Sequence, residues 1–161
     1  MRTLKGLGAL LVLLLLMVGI PAALILFAGN PIPTMPELQQ ALTGVDFGGT
    51  FLLQVFTGGV PANDLQKSFF RAGHAHAGVL VMLGLVIRLL LADERVLDWS
   101  RTLGDGVLYA AALMSAGFFL SVTGRDPQRP NQMIVLLWLG AASLAVGLVG
   151  AGAGLIVAGL G

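Results

Sequence analysis

The sequence predicts an all-α integral membrane four-helix bundle with a long, partly apolar loop between its first and second helices, and three observations predict it. Of the 161 residues, 57% are hydrophobic and only 11% charged, with a mean hydropathy of +0.92. Four stretches, about 5–28, 72–92, 103–123 and 133–160, are long enough to cross a hydrocarbon core, which takes roughly 20 apolar residues as helix. The length fits a single domain over 1–161.

The first span follows Met1-Arg2-Thr3-Leu4-Lys5 and is too long for a signal-peptide core, with no convincing small-residue cleavage site after it. It reads as a retained helix, bent at Gly19-Ile20-Pro21, where proline removes a ladder donor. The connection over 29–70 contains the proline-rich run "NPIPTMPE" (30–37) and the apolar run "FGGTFLLQVF" (47–56), so it is expected to fold over the outer ends of the helices as a partial lid. Asp93–Thr102 is short and charged, which makes the second and third spans antiparallel neighbours. Thr102-Leu103-Gly104-Asp105 reads as the start of the third span, with the threonine as cap and the aspartate in the first turn. The fourth span carries Gly140, Gly147, Gly150, Gly154 and Ala158, small residues that let helix backbones approach closely within a subunit or between subunits.

Composition also excludes functions. A formal net charge of +1 gives no signal for nucleic acid or an acidic partner. The absence of cysteine rules out disulfides, zinc–thiolate sites, covalent c-type haem and a cysteine nucleophile. Arg2, Lys5, Arg88, Arg95 and Arg101 fall on one side of the predicted membrane and Lys67, Arg71, Arg125 and Arg129 on the other, a bias that favours cytoplasmic termini.

The only two histidines sit in "FRAGHAHAGVLVMLG" (70–84). Residues two apart on a helix point about 200° away from each other, so His74 and His76 do not ligate one metal from one regular helix. The i, i+4 histidines and glutamate of a zinc helix are absent. A b-type haem stays open, because its iron needs only one proximal imidazole. Ala72, Gly73, Ala77 and Gly78 would let a flat macrocycle lie close, and Arg71, Arg125 and Arg129 are cations for its propionates. The bland alternative is a pair of ordinary interfacial polar residues.

The order of "RAGHAHAG" (71–78), "AGFFLS" (116–121) and "RPNQ" (129–132) resembles the small four-helix membrane isomerases, styrene oxide isomerase and hydroxylaminobenzene mutase, over roughly Phe69–Gly150. The resemblance implies a homo-oligomer, a trimer above all, binding haem b and a small apolar substrate, with ferric iron acting as a Lewis acid on an epoxide oxygen. The family's His-x-Gly falls on His76-Ala77-Gly78, which makes His76 the first choice of iron ligand and His74 the second. The resemblance places catalytic positions at Phe119 and at Asn131 of Pro130-Asn131-Gln132. The sequence departs from the family pattern where Phe119 stands for a tyrosine, Ala110 for an aspartate and Met82 for an asparagine; Tyr109 lies about three turns too early to replace the missing tyrosine. The other expectation is therefore a non-catalytic membrane haem-binding or interaction subunit.

Overall fold

A computed structural model describes residues 49–160; the first predicted span and the proline-rich run after it lie outside the described residues. Among the described residues every regular element is helical: a short stretch over 49–56, then α1 (Asp64–Leu90), α2 (Asp98–Gly104), α3 (Gly106–Ser121), a 3-10 turn (Gln132–Ile134) and α4 (Val135–Leu160). Three rods are long and apolar enough to cross a membrane: α1 with 27 residues, α2 and α3 together with 24, and the 3-10 turn with α4 with 28. The predicted second, third and fourth spans are therefore present as helices.

Helix α1 begins eight residues before the predicted 72, because a capping box rather than hydropathy sets its start. The Asn63 side chain accepts from Gln66 N at 2.8 Å, and Gln66 Oε1 accepts from Asn63 N at 3.1 Å, which satisfies two orphan amides at once. The same two residues tie α1 to the turn after α3. Asn63 Nδ2 donates to Asp126 Oδ1 at 2.7 Å and Pro127 O at 2.8 Å, and Gln66 Nε2 donates to Val122 O at 3.1 Å and Gly124 O at 3.0 Å. Much of the loop expected over 29–70 is thus helix where it is described.

The third span also starts early, at Asp98. Thr102 is no cap: its hydroxyl donates to Asp98 O, one turn back inside α2, at 3.0 Å. Asp105 makes no side-chain cap either; it joins α2 to α3 with helical dihedrals (φ −59°, ψ −19°) and accepts from both Leu108 N and Tyr109 N. Its carboxylate pairs across the hairpin with Arg88 Nε at 3.1 Å, each side chain about a fifth exposed (22% and 23%). Arg101 secures the tip, donating to Leu91 O, Asp93 O and Asp98 Oδ1 at 2.8 to 2.9 Å. There Asp93 is held well below the usual carboxylate range by hydrogen bonds from the Arg95 side chain and backbone, and by the nearby guanidinium charge.

Helix α3 lies between α1 and α4. Antiparallel register sets Gly73 of α1 against Phe119 and Gly84 against Leu108. On its other side the backbones nearly touch: a Cβ on Gly117 would lie 2.5 Å from Leu137 N, and one on Gly147 would lie 2.8 Å from Val107 N. Gly140, Gly150 and Gly154 likewise face Met114, Leu103 and Ser100, so these fourth-span glycines serve packing within the subunit. Val107, Ala110, Ala111 and Met114 are buried along α3, whereas Val79, Met82, Trp138, Val149 and Ile156 stand exposed on α1 and α4. Large apolar side chains outside and small ones inside is the arrangement of helices surrounded by hydrocarbon.

Two expectations follow for the protein in detergent. Gly117→Ala forces a methyl against the Leu137 backbone and should cost about 1–3 kcal/mol, whereas Gly152→Ala, with nothing within 4 Å, should shift the thermal midpoint little. Asp105→Asn leaves Arg88 facing a neutral partner in a largely apolar setting and should destabilise by about 2 kcal/mol. Arg88→Met combined with Asp105→Asn should recover part of that loss in the same melting experiment.

Candidate functional site

Helix α1 is regular through the histidines, so His74 and His76 face different neighbours. His76 is half-buried on the side toward α3: its ring centroid lies 5.0 Å from that of Phe118, tilted 38°. Its Nδ1 lies 2.7 Å from Ala72 O. A carbonyl only accepts, so this contact places the proton on Nδ1 and leaves the Nε2 lone pair for a ligand. Metal-bound histidines use the same device, one ring nitrogen pinned by a carbonyl and the other presented.

His74 is half-buried and makes no hydrogen bond to any described residue. By helical spacing it shares a side of α1 with Arg71 and Gly78, at i−3 and i+4. A Cβ on Gly78 would meet nothing within 4 Å among the described residues. Gly73 is not open. A Cβ there would come within 2.6 Å of the Phe119 ring, and its carbonyl accepts from the buried Ser115 hydroxyl at 3.1 Å. Ala77 is half-buried on the same helix.

An aromatic layer surrounds this end of the bundle. Phe69 meets Phe118 edge-on with centroids 5.6 Å apart, and Phe70 stacks on Phe119 at 5.3 Å. Phe119, 4% exposed, is therefore wedged between Phe70 and Gly73. Arg71 lies over the Phe56 ring, its guanidinium carbon 4.9 Å from the centroid. Arg125 and Arg129 are exposed in the turn between α3 and α4, and neither makes an ion pair among the described residues.

Asn131 spends its amide on the hairpin. Oδ1 accepts from Met133 N at 2.8 Å, Nδ2 donates to Leu120 O at 2.9 Å, and the backbone N donates to Ser121 O at 2.7 Å. The side chain caps the 3-10 turn and fastens α3 to α4. The structure thus gathers Gly73, His76 and Phe119 at the α1–α3 contact, sets Arg71 and His74 on another side of α1, and leaves Asn131, Arg125 and Arg129 in the adjoining turn. No group of three or more His, Asp or Glu side chains able to hold a metal occurs among the described residues.

Sequence reasoning passed over Gln66 and Ser115, both buried polar side chains that fix α1 against α3 and its turn. The run Asn63-Asp64-Leu65-Gln66 carries the signal for Gln66, because Asn-x-x-Gln is a helix-start signature. Nothing comparable marks Ser115.

Among the described residues, fold and site define an all-helical bundle with three helices of membrane-spanning length and one imidazole whose Nδ1 is held by a backbone carbonyl. No family model matches the chain, and neither the curated proteins nor the solved structures yield a match.

Asn131→Ala should lower the thermal midpoint by an amount equivalent to about 1 kcal/mol, the worth of a lost cap. It should leave the surroundings of His76 unchanged, as read by the imidazole resonances in NMR.

Proposed function

We propose that this chain is a multi-pass membrane protein that binds haem b through His76 and isomerises a small apolar epoxide or a related polarised substrate. The observation that carries the reading is the 2.7 Å contact of His76 Nδ1 with Ala72 O, which leaves the Nε2 lone pair as the atom that would hold the iron. The donor chemistry fits the group: haem asks for one neutral imidazole, and the cysteine-free chain offers neither a thiolate nor a closed zinc set. The resemblance of "RAGHAHAG", "AGFFLS" and "RPNQ" to the styrene oxide isomerase group supports the same histidine and favours a homotrimer.

When bound, haem supplies an electron-poor iron that polarises the substrate oxygen, a Lewis-acid task that requires no protein nucleophile. The chain's own residues prepare the site. The Ala72 carbonyl holds the proton at His76 Nδ1, and the Phe118 ring limits how the imidazole turns. Phe69, Phe70 and Phe119 keep water from this end of the α1–α3 contact, and the half-buried Phe69 and Phe70 offer an apolar substrate a matching wall. In this reading Phe119 acts by shape and Asn131 by holding the hairpin, while Arg125 and Arg129 are the cations within reach of carboxylates at the membrane boundary.

A second ligand assignment has its own support. His74 has no hydrogen-bond partner among the described residues and shares its side of α1 with Arg71 and with Gly78, where a Cβ would meet no described residue within 4 Å.

Haem per chain, measured as pyridine haemochrome on variants purified in one detergent, decides between them. His76→Ala should lose at least tenfold and His74→Ala less than twofold, with circular dichroism confirming that both fold. The reverse pattern assigns His74, and full retention by both removes haem from this motif. Conversion of a small aryl epoxide to its carbonyl isomer by the haem-loaded protein tests the activity; a loaded protein without turnover is the non-catalytic haem-binding subunit.

A further inference from the structure

The helical stretch over 49–56 is not absorbed by the haem reading, and its placement is specific. It leans on α1 at two neighbouring residues: Phe51 meets Phe70 edge-on at 5.6 Å, and Phe56 lies beneath the Arg71 guanidinium at 4.9 Å. Val55 is buried, 1% exposed, whereas Leu53 is 62% and Phe56 46% exposed. Thr57 closes the helix, its backbone N and hydroxyl both donating to Leu53 O at 2.9 Å, and Gly58 turns the chain with φ +82°.

The level of this stretch follows from α1. A helix of 27 residues is about 40 Å long, some 10 Å more than a hydrocarbon core is thick. Its surplus lies at the N-terminal end, where Asp64, Lys67, Ser68 and Arg71 precede a run from Ala72 to Ile87 with no charged residue. Residues 70 and 71 therefore mark the boundary between hydrocarbon and headgroups, and the stretch that packs on them lies at that boundary. Lys67 and Arg71 bring positive charge to the phosphate level, and Arg125 and Arg129 lie at the same end because Asn63 is bonded to Asp126 and Pro127.

We propose that residues 49–56 form an interfacial helix that buries Leu53 and Phe56 in the acyl–headgroup boundary of the bilayer, with Arg71 bridging Phe56 to the lipid phosphates. Two exposed apolar side chains beside a cation at this level fit a lipid surface, since the apolar face gains burial and the guanidinium keeps its hydration and its phosphate partners. The inference is independent of any cofactor.

The test reads depth directly. Phe56→Trp is introduced into a Trp99→Phe, Trp138→Phe background, with Leu53→Trp as an independent second probe, and the protein is reconstituted in phosphatidylcholine vesicles containing brominated acyl chains. Emission from both probes should be blue-shifted, and bromines placed near the headgroup end should quench it at least twofold more than bromines near the chain ends. Water-like emission from solvent exposure overturns the proposal, and so does blue-shifted emission that neither lipid quenches, the sign of cover by protein such as a second copy of the chain. Stronger quenching by the deep bromines also overturns it.

Discussion

Close approach of α3 to both of its neighbours is the constraint on which the rest of the structure depends. In hydrocarbon, apolar burial gives helices little reason to associate, so contact rests on dispersion between surfaces that fit. Gly117 against the Leu137 backbone and Gly147 against the Val107 backbone bring α3 and α4 to near-minimum separation. Gly73 admits Phe119 on the opposite side. Because Phe118 and Phe119 are adjacent on α3, the contact that seats one against Gly73 also sets the other beside the His76 ring. The position of the candidate ligand is thus a consequence of helix packing.

Polar interactions then fix register. At one end Asn63, Gln66 and Asn131 satisfy caps, turn carbonyls and each other's backbones, joining α1, α3 and the start of α4. At the other end the Arg88–Asp105 pair and the Arg101 bonds to the connecting tip hold the α1–α2 hairpin. Between these ends the Ser115 hydroxyl donates to Gly73 O and links α3 to α1 next to the histidines. A sliding movement of α1 along α3 would break bonds at both ends, so the imidazole has a defined depth in the bundle.

The existence of the second, third and fourth spans was legible because apolar length is a strong local signal. Their starts were not, since α1 opens with an amphipathic turn governed by the Asn63–Gln66 box and α2 opens at a charged Asp98. The pairing of Arg88 with Asp105 depends on how a hairpin folds back, which composition does not encode; locally, Asp105 looked like a first-turn aspartate. The divergence of the two histidines was readable from helical geometry alone. The contact from His76 to Ala72 is an i to i−4 relation that spacing permits, while the place of Phe119 against Gly73 arises only when α1 and α3 meet.

In the proposed function His76 Nε2, left over by the contact of Nδ1 with Ala72 O, takes the iron of haem, a group whose needs a single histidine meets. The absorption spectrum of the unaltered protein, purified in mild detergent and then titrated with ferric haem, tests that claim most directly. The account predicts a Soret band that saturates at one haem per chain and shifts when a small ligand such as imidazole or cyanide is added. A folded protein whose spectrum remains that of free haem in detergent micelles throughout the titration contradicts it.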